Sequence, residues 1–502
     1  MPELTKKQNA LIIALICVLY GAFRIWGIMD SCLWFDEIFS IHAAEHSWNS
    51  IISFVAKDLI HPPLFYVLLK LWIGIGGESL FWLRLLPVIC SILALFPFWM
   101  ICRELKLKPP AAIVAMSLFA VNGSLIKYGQ EVRMYSLLLC LSLFSIWLFS
   151  RFYFRGKNFW LLTAVNILLV YTHYFGWLIV IAEVVAILIA QRIKILRILL
   201  MLGVTIAAFV PWIFAIFRFA DPGPGVEQNI GWIAKPGIAA IFEFAFDVIE
   251  PFYYQQSSAD PTSIFIIAIP LLLLIAAAKI IYLIDFKNAE EKDAVYLMSV
   301  FALVPMMIAF IASWLLPVSV WGSRHLIIVF APMMIIVAIF ITSVAIKPIR
   351  FAFIASVYLL ITVAFVMQMR AEKPQFIWCA WENLAAQIPA DKPQTVYVFE
   401  DLVAYHFWFA TRNRQNFQIV KINGMPEMTE DKAYFLPRGF DGVRVVMPND
   451  INGQHFCVAF RDMQWNEKHP PLNYLLDRGF KIGQPRTIDV DGLKAFIVEA
   501  RK

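Results

Sequence analysis

Two adjacent acids in the stretch DSCLWFDEIF, residues 30–39, are the first candidates for chemistry. Asp36 and Glu37 are surrounded by tryptophan, phenylalanine, leucine and isoleucine, whereas a loop that only needed to be soluble would carry Ser, Asn and Lys. A carboxylate in such a place can accept a proton as a general base or provide oxygen ligands for a hard divalent cation. We expect Asp36 to be the base. The sequence leaves open whether Glu37 orients the reactants or coordinates an ion.

Cationic side chains that could bind an anion lie at three other places along the chain. Arg133 lies in a short turn in LIKYGQEVRMYSLLL, and Arg324 with His325 begins an apolar run in WGSRHLIIV. His61 precedes two prolines in KDLIHPPLFY, which favour an extended backbone at the histidine. Because a guanidinium fork can grip phosphate oxygens, these four residues are candidates for a phosphate site. Two alternatives stay open: Arg324 could snorkel to the membrane surface, and the prolines could merely begin a helix.

A third carboxylate, Glu131, lies in the same turn as Arg133, beside Gln130 and close to Tyr128. The turn is so short that we expect the flanking helices to form an antiparallel hairpin with these side chains at its tip. Glu131 is then a candidate for catalysis or for an ion, and Gln130 and Tyr128 are candidates for lining the donor or acceptor site. The alternative is a Glu131–Arg133 ion pair that only caps the hairpin.

The composition places these residues in a membrane protein. Of the 502 residues 61% are hydrophobic and 16% are charged, with a mean hydropathy of +0.71, which is more apolar and less charged than ordinary soluble domains. The net charge of +6 is modest, so we do not predict nucleic-acid binding. Apolar runs long enough to cross the hydrocarbon core of a bilayer predict about eleven transmembrane helices. They fall at about 9–28, 81–102, 110–126, 134–150, 159–172, 175–190, 198–217, 263–283, 294–315, 324–346 and 351–369.

The loops between these spans predict one orientation. Short, mostly basic connections such as 103–108 and 151–157 indicate the cytoplasmic side by the positive-inside rule. The candidate acids and arginines then lie on the opposite side, together with the end of the chain. His173 and Tyr174, in YTHYFGW, fall on that side too and are candidates for lining the site. They are weaker ones, because tyrosines and tryptophans are common at this depth in any membrane protein.

The composition changes to a polar mixture after Arg370. Alternating runs such as TVYVFE, NFQIVKI, HFCVAF and LKAFIVEA are separated by helix-like stretches, a pattern that predicts a small α/β domain. We therefore expect a transmembrane domain at 1–372 and an extracytoplasmic α/β domain at 373–502. Of seven cysteines, only Cys32, Cys379 and Cys457 fall outside the spans. None has a metal-site or paired spacing, so neither a zinc site nor a disulfide framework is predicted.

An ordered set of motifs resembles a known family. WFDE and HPPL in the first external loop are followed by LRLLP, YGQEVRMYSL, YTHYFG and SRHL, in that order. Over roughly residues 10–345 the chain resembles the bacterial branch of the protein O-mannosyltransferase-like glycosyltransferases, family 39 of the GT-C superfamily. This sequence has Val132 where the family usually has Ala, His325 where Tyr is frequent, and Gly129 where Ser is frequent.

The resemblance implies a multi-pass hexosyl- or mannosyltransferase-like enzyme of the bacterial inner membrane. Such an enzyme moves a sugar from a polyprenyl-phosphate carrier to a hydroxyl of a protein, lipid or surface glycan, on the non-cytoplasmic face and with inversion. The first-loop aspartate of the family falls on Asp36 and its neighbour on Glu37, while the second motif falls on Gln130, Glu131 and Arg133. A divalent cation held by the three acids is a further expectation that stays open.

Two other classes of protein are alternatives to an enzyme. A polyprenyl-linked glycolipid transporter or flippase would place polar groups near the midplane of the bilayer and often shows inverted repeats, and neither pattern is evident in the sequence. A receptor that uses its spans only as an anchor would need neither so many spans nor acids in its first loop.

Overall fold

The structure is a computed structural model that describes residues 5–190, 195–220, 225–252, 263–284, 291–373, 375–388, 394–428, 434–490 and 492–502. The helices that precede the C-terminal region are α1 (Lys6–Ile25), α2 (Phe35–Glu45), α3 (Ile51–Asp58), α4 (Leu64–Gly76), α5 (Leu80–Glu104), α6 (Pro109–Val121), α7 (Gly123–Tyr128), α8 (Tyr135–Arg155), α9 (Phe159–Thr172), α10 (Gly176–Ile189), α11 (Ile195–Phe219), α12 (Glu227–Ile230), α13 (Ile238–Ile249), α14 (Ile269–Ile284), α15 (Lys292–Leu315), α16 (Phe330–Thr342) and α17 (Lys347–Arg370). A π-helical turn at Ile264–Ala268 leads into α14, and a 3-10 turn at Leu326–Val329 leads into α16.

Each of the eleven predicted spans coincides with a helix, which confirms a polytopic helical membrane protein. Among the described residues, seven helices have the length and composition to cross a membrane: α1, α5, α8, α11, α14 with its π-helical turn, α15 and α17. The helices at the other four predicted spans are shorter: α6, α9, α10 and α16 with its 3-10 turn.

The third predicted span, 110–126, is wrong at its end, because α6 stops at Val121. The Asn122 side chain accepts a hydrogen bond from Leu125 N and begins α7. Its amide nitrogen donates to the carbonyls of Asp247, Val248 and Glu250 at the end of α13. One asparagine therefore caps two helix ends and breaks the apolar run.

The expected hairpin of spans three and four is also not a packed pair. Helix α8 packs mainly against α5 and α9, whereas α6 packs against α16 and α1. The turn that carries Glu131 therefore joins two helices with different neighbours. The Glu131 position lies before α8 begins at Tyr135 and is not part of its helical face.

A polar cluster inside the helical bundle was missed in the sequence. Glu183 on α10 is fully buried and contacts Ser145 on α8 and Asn166 on α9. The Ser145 Oγ lies 2.6 Å from Glu183 Oε1 and 2.7 Å from Asn166 Oδ1, and Asn166 Nδ2 lies 2.7 Å from Glu183 Oε2. These contacts join three neighbouring helices through side-chain hydrogen bonds.

The long loop after α1 folds into α2, α3 and α4. Helix α2 packs against α3 and α4, and α4 packs against α5. The loop is therefore anchored on the membrane helices, and α2 carries Asp36 and Glu37 in its first turn.

The C-terminal region forms the predicted α/β domain. Its strands are β1 (Gln394–Val398), β2 (Phe417–Ile422), β3 (Arg444–Val446), β4 (His455–Asp462), β5 (Lys481–Ile482), β6 (Arg486–Val490) and β7 (Leu493–Arg501). They lie in the order β3-β2-β1-β4-β7-β5, with β6 paired to β7. The first four run parallel, and β7 is antiparallel to β4. Its helices are α18 (Ile377–Ala386), α19 (Asp401–Thr411) and α20 (Pro470–Asp477). We propose the domain boundary at 372/373, between α17 and α18.

The prediction of no disulfide was wrong. Cys32 and Cys379 are bonded, although they are 347 positions apart in the sequence. The bond joins the segment between α1 and α2 to α18 of the C-terminal domain. Its partners come together only through the fold, so no local spacing could reveal the pair.

Candidate active site

Glu37 holds the start of α2 in place. Its side chain is 1% exposed and forms an ion pair of 3.1 Å with Arg84 on α5. The carboxylate also accepts hydrogen bonds from the backbone nitrogens of Trp34 and Val132, at 3.1 and 2.9 Å. Arg84 in turn donates to the carbonyls of Ile28, Ser31 and Cys32. Both Glu37 oxygens are thus used for structure, and this geometry favours an anchoring role over the catalytic one predicted for Glu37.

Asp36 points away from this anchor and towards two arginines. Its Oδ2 lies 3.5 Å from an Arg324 nitrogen and 3.9 Å from an Arg133 nitrogen, and about 30% of its side chain is exposed. Arg133 is almost completely buried and also donates to the Asp36 carbonyl and to Ser40 Oγ on α2. Adjacent acids in the sequence therefore have different surroundings: Glu37 is buried and saturated, and Asp36 is partly accessible beside two cations.

Arg324 lies between two indole rings. Its guanidinium carbon is 5.9 Å from the centre of the Trp34 ring and 5.6 Å from that of Trp232, within the range of a cation–π contact. A residue that only snorkelled to the membrane surface would extend into the headgroups. Arg324 is instead held at Asp36 with a side chain that is 21% exposed.

A cavity of about 420 Å³ opens beside these residues. Its polar lining includes Lys127, Glu131, Ser323, Arg324 and His325, along with edges of Glu37 and Arg84. Its aromatic lining consists of Trp34, Tyr128, Trp232, Trp321, Phe376, Trp378 and Tyr434. The membrane domain and the C-terminal domain both contribute to this wall.

Buried polar atoms without a hydrogen-bond partner among the described residues concentrate behind Arg133 and Arg324. Six of the 18 such atoms belong to this group: Arg133 Nε, both ring nitrogens of His61, His173 Nε2, His325 Nδ1 and the Tyr66 hydroxyl. The imidazoles are neighbours, with ring centres 5.1 Å apart for His61 and His173 and 5.6 Å apart for His173 and His325. Because native proteins satisfy nearly all buried polar groups, this concentration indicates a site for a polar ligand.

The protonation of these imidazoles suits an anion. Burial, with the charges of Arg133 and Arg324, lowers the pKa of His173 to about 3 and the pKa values of His61 and His325 well below the usual 6.5. Each ring is therefore neutral at pH 7 and carries one N–H. The Nδ1 of His173 accepts from Phe175 N at 3.0 Å, so its hydrogen is on Nε2, the atom without a partner. This nitrogen is a donor available to a ligand.

Glu131 lies at the cavity with one oxygen free of hydrogen bonds from the described residues. Its Oε2 has no partner there, and its Oε1 lies 3.9 Å from Lys127 Nζ. Burial raises the pKa of the Glu131 carboxyl to about 7. The Glu131–Arg133 side-chain pair considered as an alternative does not form, since Arg133 turns to Asp36 and Ser40. Glu131 can exchange a proton near neutral pH or bind a substrate hydroxyl.

The four residues predicted to line the site lie in three different places. Tyr128 and Gln130 are at the cavity, where Gln130 Nε2 also donates to the carbonyls of Arg24 and Trp26 at the end of α1. His173 lies behind the cavity, next to His325, which lines it. Tyr174 lies apart from them: its hydroxyl accepts from Trp212 Nε1 on α11, at 3.2 Å.

The three acids predicted for a divalent cation do not fit that role together. Both oxygens of Glu37 are bound to Arg84 and to backbone N–H groups, and Asp36 is beside two arginines. In the described part of the chain, no group of three or more His, Cys, Asp or Glu side chains is arranged to hold a metal ion.

Several residues of the site were not predicted as such, and three of them show why. Arg84 lies in the LRLLP motif, and its position inside an apolar span was the available signal. Tyr66 follows His61 by five residues, but nothing in the sequence shows that its hydroxyl turns inward. Trp232 comes from the long loop after α11, and only the fold brings it to Arg324.

The comparisons with known proteins show the fold. No protein-family model and no curated protein sequence matches the chain. ArnT from Cupriavidus metallidurans bound to undecaprenyl phosphate is similar with a TM-score of 0.58 and 11% identity, over 98% of this chain and 97% of that chain. The apo state of the same protein gives 0.57 over the same shares, also at 11% identity. The protein O-mannosyltransferase Pmt1-Pmt2 complex of S. cerevisiae, bound to the sugar donor, matches only 46% of this chain and 36% of that chain, with 14% identity and a TM-score of 0.34. The chain therefore shares the fold of ArnT over almost its whole length, and its membership of the GT-C superfamily and of family 39 stays a prediction.

Proposed function

We propose that this protein is an integral membrane glycosyltransferase that moves a sugar from a polyprenyl-phosphate carrier to a hydroxyl acceptor. The proposal rests on the position of the Asp36 carboxylate, which lies 3.5 Å from Arg324 and 3.9 Å from Arg133. The buried hydrogen-bond donors without partners lie near these two arginines. The similar ArnT structure contains undecaprenyl phosphate, which supports a carrier of this class.

The phosphate of the carrier would be held by the cations and the neutral imidazoles. Cleavage of the glycosidic bond leaves negative charge on that phosphate, and fixed donors aimed at developing charge lower the barrier. Arg324 and Arg133 supply the charge, while His61, His173, His325 and Tyr66 offer uncharged hydrogen bonds. The guanidinium forks suit two phosphate oxygens at once.

Asp36 would act as the general base. The acceptor hydroxyl loses its proton as its oxygen attacks the anomeric carbon, and the carboxylate receives that proton. A base and a leaving group on opposite sides of the sugar ring produce a single displacement with inversion. No second carboxylate is needed as a nucleophile, and Glu131 is then available to bind a hydroxyl of the sugar or of the acceptor.

The reaction would take place on the non-cytoplasmic face of the bacterial inner membrane. Disulfides persist in oxidising compartments, so the Cys32–Cys379 bond at the rim of the cavity supports this orientation. By the family resemblance the sugar is a hexose such as mannose, and the acceptor is a protein, lipid or surface glycan.

A panel of polyprenyl-phosphate sugars tests the proposal. The purified protein in lipid nanodiscs is mixed with each labelled donor and with membrane extracts as a source of acceptor. We expect one donor to release polyprenyl phosphate and to give a new glycoside of inverted configuration. Retention of configuration, or no turnover of any donor by a protein that binds them, would overturn the proposal.

A further inference from the structure

The C-terminal domain contacts the helix that carries Asp36. The Phe35 ring, one residue before Asp36, lies 5.0 Å from the Tyr405 ring and 5.3 Å from that of Tyr434. His42, two turns further along α2, lies 2.9 Å from the Tyr405 hydroxyl through its Nδ1. Tyr405 is fully buried and stacks on Trp408 of the same helix, α19. One tyrosine therefore contacts α2 near its start and near its end.

The two ends of α2 are tied to the C-terminal domain as well. Cys32, four residues before Asp36, is bonded to Cys379. Glu45, the last residue of α2, forms an ion pair of 3.1 Å with Arg412, which also contacts Glu78 at 2.7 Å. The ion pairs alone are partly exposed and contribute little, but the disulfide and the buried aromatic contact restrain α2 from both ends.

This restraint matters because α2 has only 11 residues. Helices of that length are marginal in water without tertiary contacts. Its first turn is fixed on the membrane side by Glu37 and Arg84, whereas the angle of the helix depends on what lies against its other face. An error of 1 Å in the position of a catalytic group can cost about 100-fold in rate.

We propose that Tyr405 is a positioning residue: through Phe35 and His42 it holds α2 so that Asp36 faces Arg324. The C-terminal domain is then part of the active site and not an independent appendage. The catalytic half of this inference rests on the proposed function, in which Asp36 is the base. The structural half, that Tyr405 holds α2, does not.

The test compares Tyr405→Leu with Tyr397→Leu. Tyr397 is a matched control because it is also a buried tyrosine of the C-terminal domain, with its ring 4.8 Å from Phe456 and its hydroxyl bonded to the Asn452 carbonyl. Tyr405→Phe is included because it keeps the ring and removes only the hydroxyl. For each variant, kcat, donor KM and backbone hydrogen exchange of α2 are measured on the full-length protein.

We expect Tyr405→Leu to lower kcat by about tenfold or more, with donor KM within about twofold, and to speed exchange across residues 38–44. Tyr405→Phe should recover most of the rate, and Tyr397→Leu should change neither kcat nor the exchange of α2. Equal exchange of α2 in all three variants, or a normal kcat in Tyr405→Leu, would overturn the inference. If the wild type transfers no sugar, the proposed function fails, while the exchange comparison still decides whether Tyr405 holds α2.

Discussion

At the scale of single residues, Asp36 and Glu37 show how neighbours in the sequence can receive different tasks. Glu37 is held by an arginine and two backbone N–H groups, and removing one partner of a buried pair costs about 3–5 kcal/mol. Asp36 faces the guanidinium groups of Arg133 and Arg324, and about 30% of its side chain is exposed. Because Glu37 is held firmly in place, it also fixes the position of the accessible Asp36 beside it.

The first prediction concerns the fork of Arg324. Arg324→Lys keeps the charge but loses the planar pair of donors, so turnover should fall about tenfold to a hundredfold, the equivalent of one hydrogen bond to a charged group. The measurement is kcat and donor KM, together with the melting temperature. Arg478→Lys is the control, since Arg478 contacts the Pro448 carbonyl and Tyr474, both in the C-terminal domain. Normal kcat and donor KM in Arg324→Lys would show that Arg324 does not bind the phosphate of the donor.

A second prediction follows from Glu131. Burial raises its pKa from the ordinary 4.5 to about 7, so the folded protein binds this proton more tightly than the unfolded chain does. The stability that results is complete below about pH 4.5 and is lost as the pH rises through about 7. Between about pH 5 and pH 8 the melting temperature of the wild type should therefore fall relative to that of Glu131→Gln, in which position 131 does not titrate. A difference in melting temperature that stays constant between about pH 5 and pH 8 would show that Glu131 is ionised over this whole range.

The sequence predicts some of these residues and not others, for a physical reason. Asp36, Arg133 and Arg324 stand out because charge beside apolar runs is costly and needs an explanation. The inward hydroxyl of Tyr66 does not stand out, since tyrosine is ordinary at a membrane interface. The different roles of Asp36 and Glu37 are equally invisible, because they depend on which side of α2 faces Arg84.

At the scale of elements, hydropathy located the helices well, and the contacts between them came only from the structure. The eleven predicted spans and the four quoted strand runs all coincide with helices and strands, because long apolar runs and alternating patterns determine these elements locally. The break at Asn122 and the different neighbours of α6 and α8 depend on distant residues on α13, α5 and α16. The cluster of Ser145, Asn166 and Glu183 is a third case of this kind.

Hydrogen counting in this cluster leads to the third prediction. The three side chains form a closed ring of three hydrogen bonds, to which Ser145 supplies one hydrogen and Asn166 one, whichever way its amide is oriented. The third hydrogen must come from Glu183, which is therefore a neutral carboxylic acid. Glu183→Gln offers the same one donor and one acceptor and should keep the melting temperature. Glu183→Leu removes two of the three buried hydrogen bonds, those to Ser145 and to Asn166, and should cost about 1–3 kcal/mol.

Thermal unfolding in nanodiscs of a single lipid composition compares the two variants. A Gln variant as unstable as the Leu variant would mean that Glu183 is charged in the native protein.

At the scale of the whole molecule, the membrane part and the C-terminal domain enclose one cavity, and the disulfide crosses its rim. The sequence indicated both parts but not their contact, because a bond between residues 347 positions apart is set by tertiary structure. Because both domains line this cavity, the C-terminal domain is part of the candidate site, which its sequence alone did not indicate.

The fourth prediction is the orientation of this assembly. Lys468→Cys introduces an exposed thiol in the C-terminal domain, and Lys157→Cys introduces one in the short basic loop between α8 and α9. In intact cells an impermeant thiol reagent should label position 468 above the wild-type background and should not label position 157. Opening the membrane should then expose position 157. The reverse pattern would place the site on the cytoplasmic side.

The central claim, that Asp36 is the base of a glycosyl transfer, is tested most directly by single-turnover kinetics of Asp36→Asn with the donor identified for the wild type. The change preserves size and removes the proton acceptor, and a positioned base contributes typically 10²–10⁴-fold. We predict that the variant binds the polyprenyl-phosphate donor, keeps its melting temperature and transfers the sugar at least about 100-fold more slowly. A stable variant that retains more than about a tenth of the wild-type rate would contradict the account.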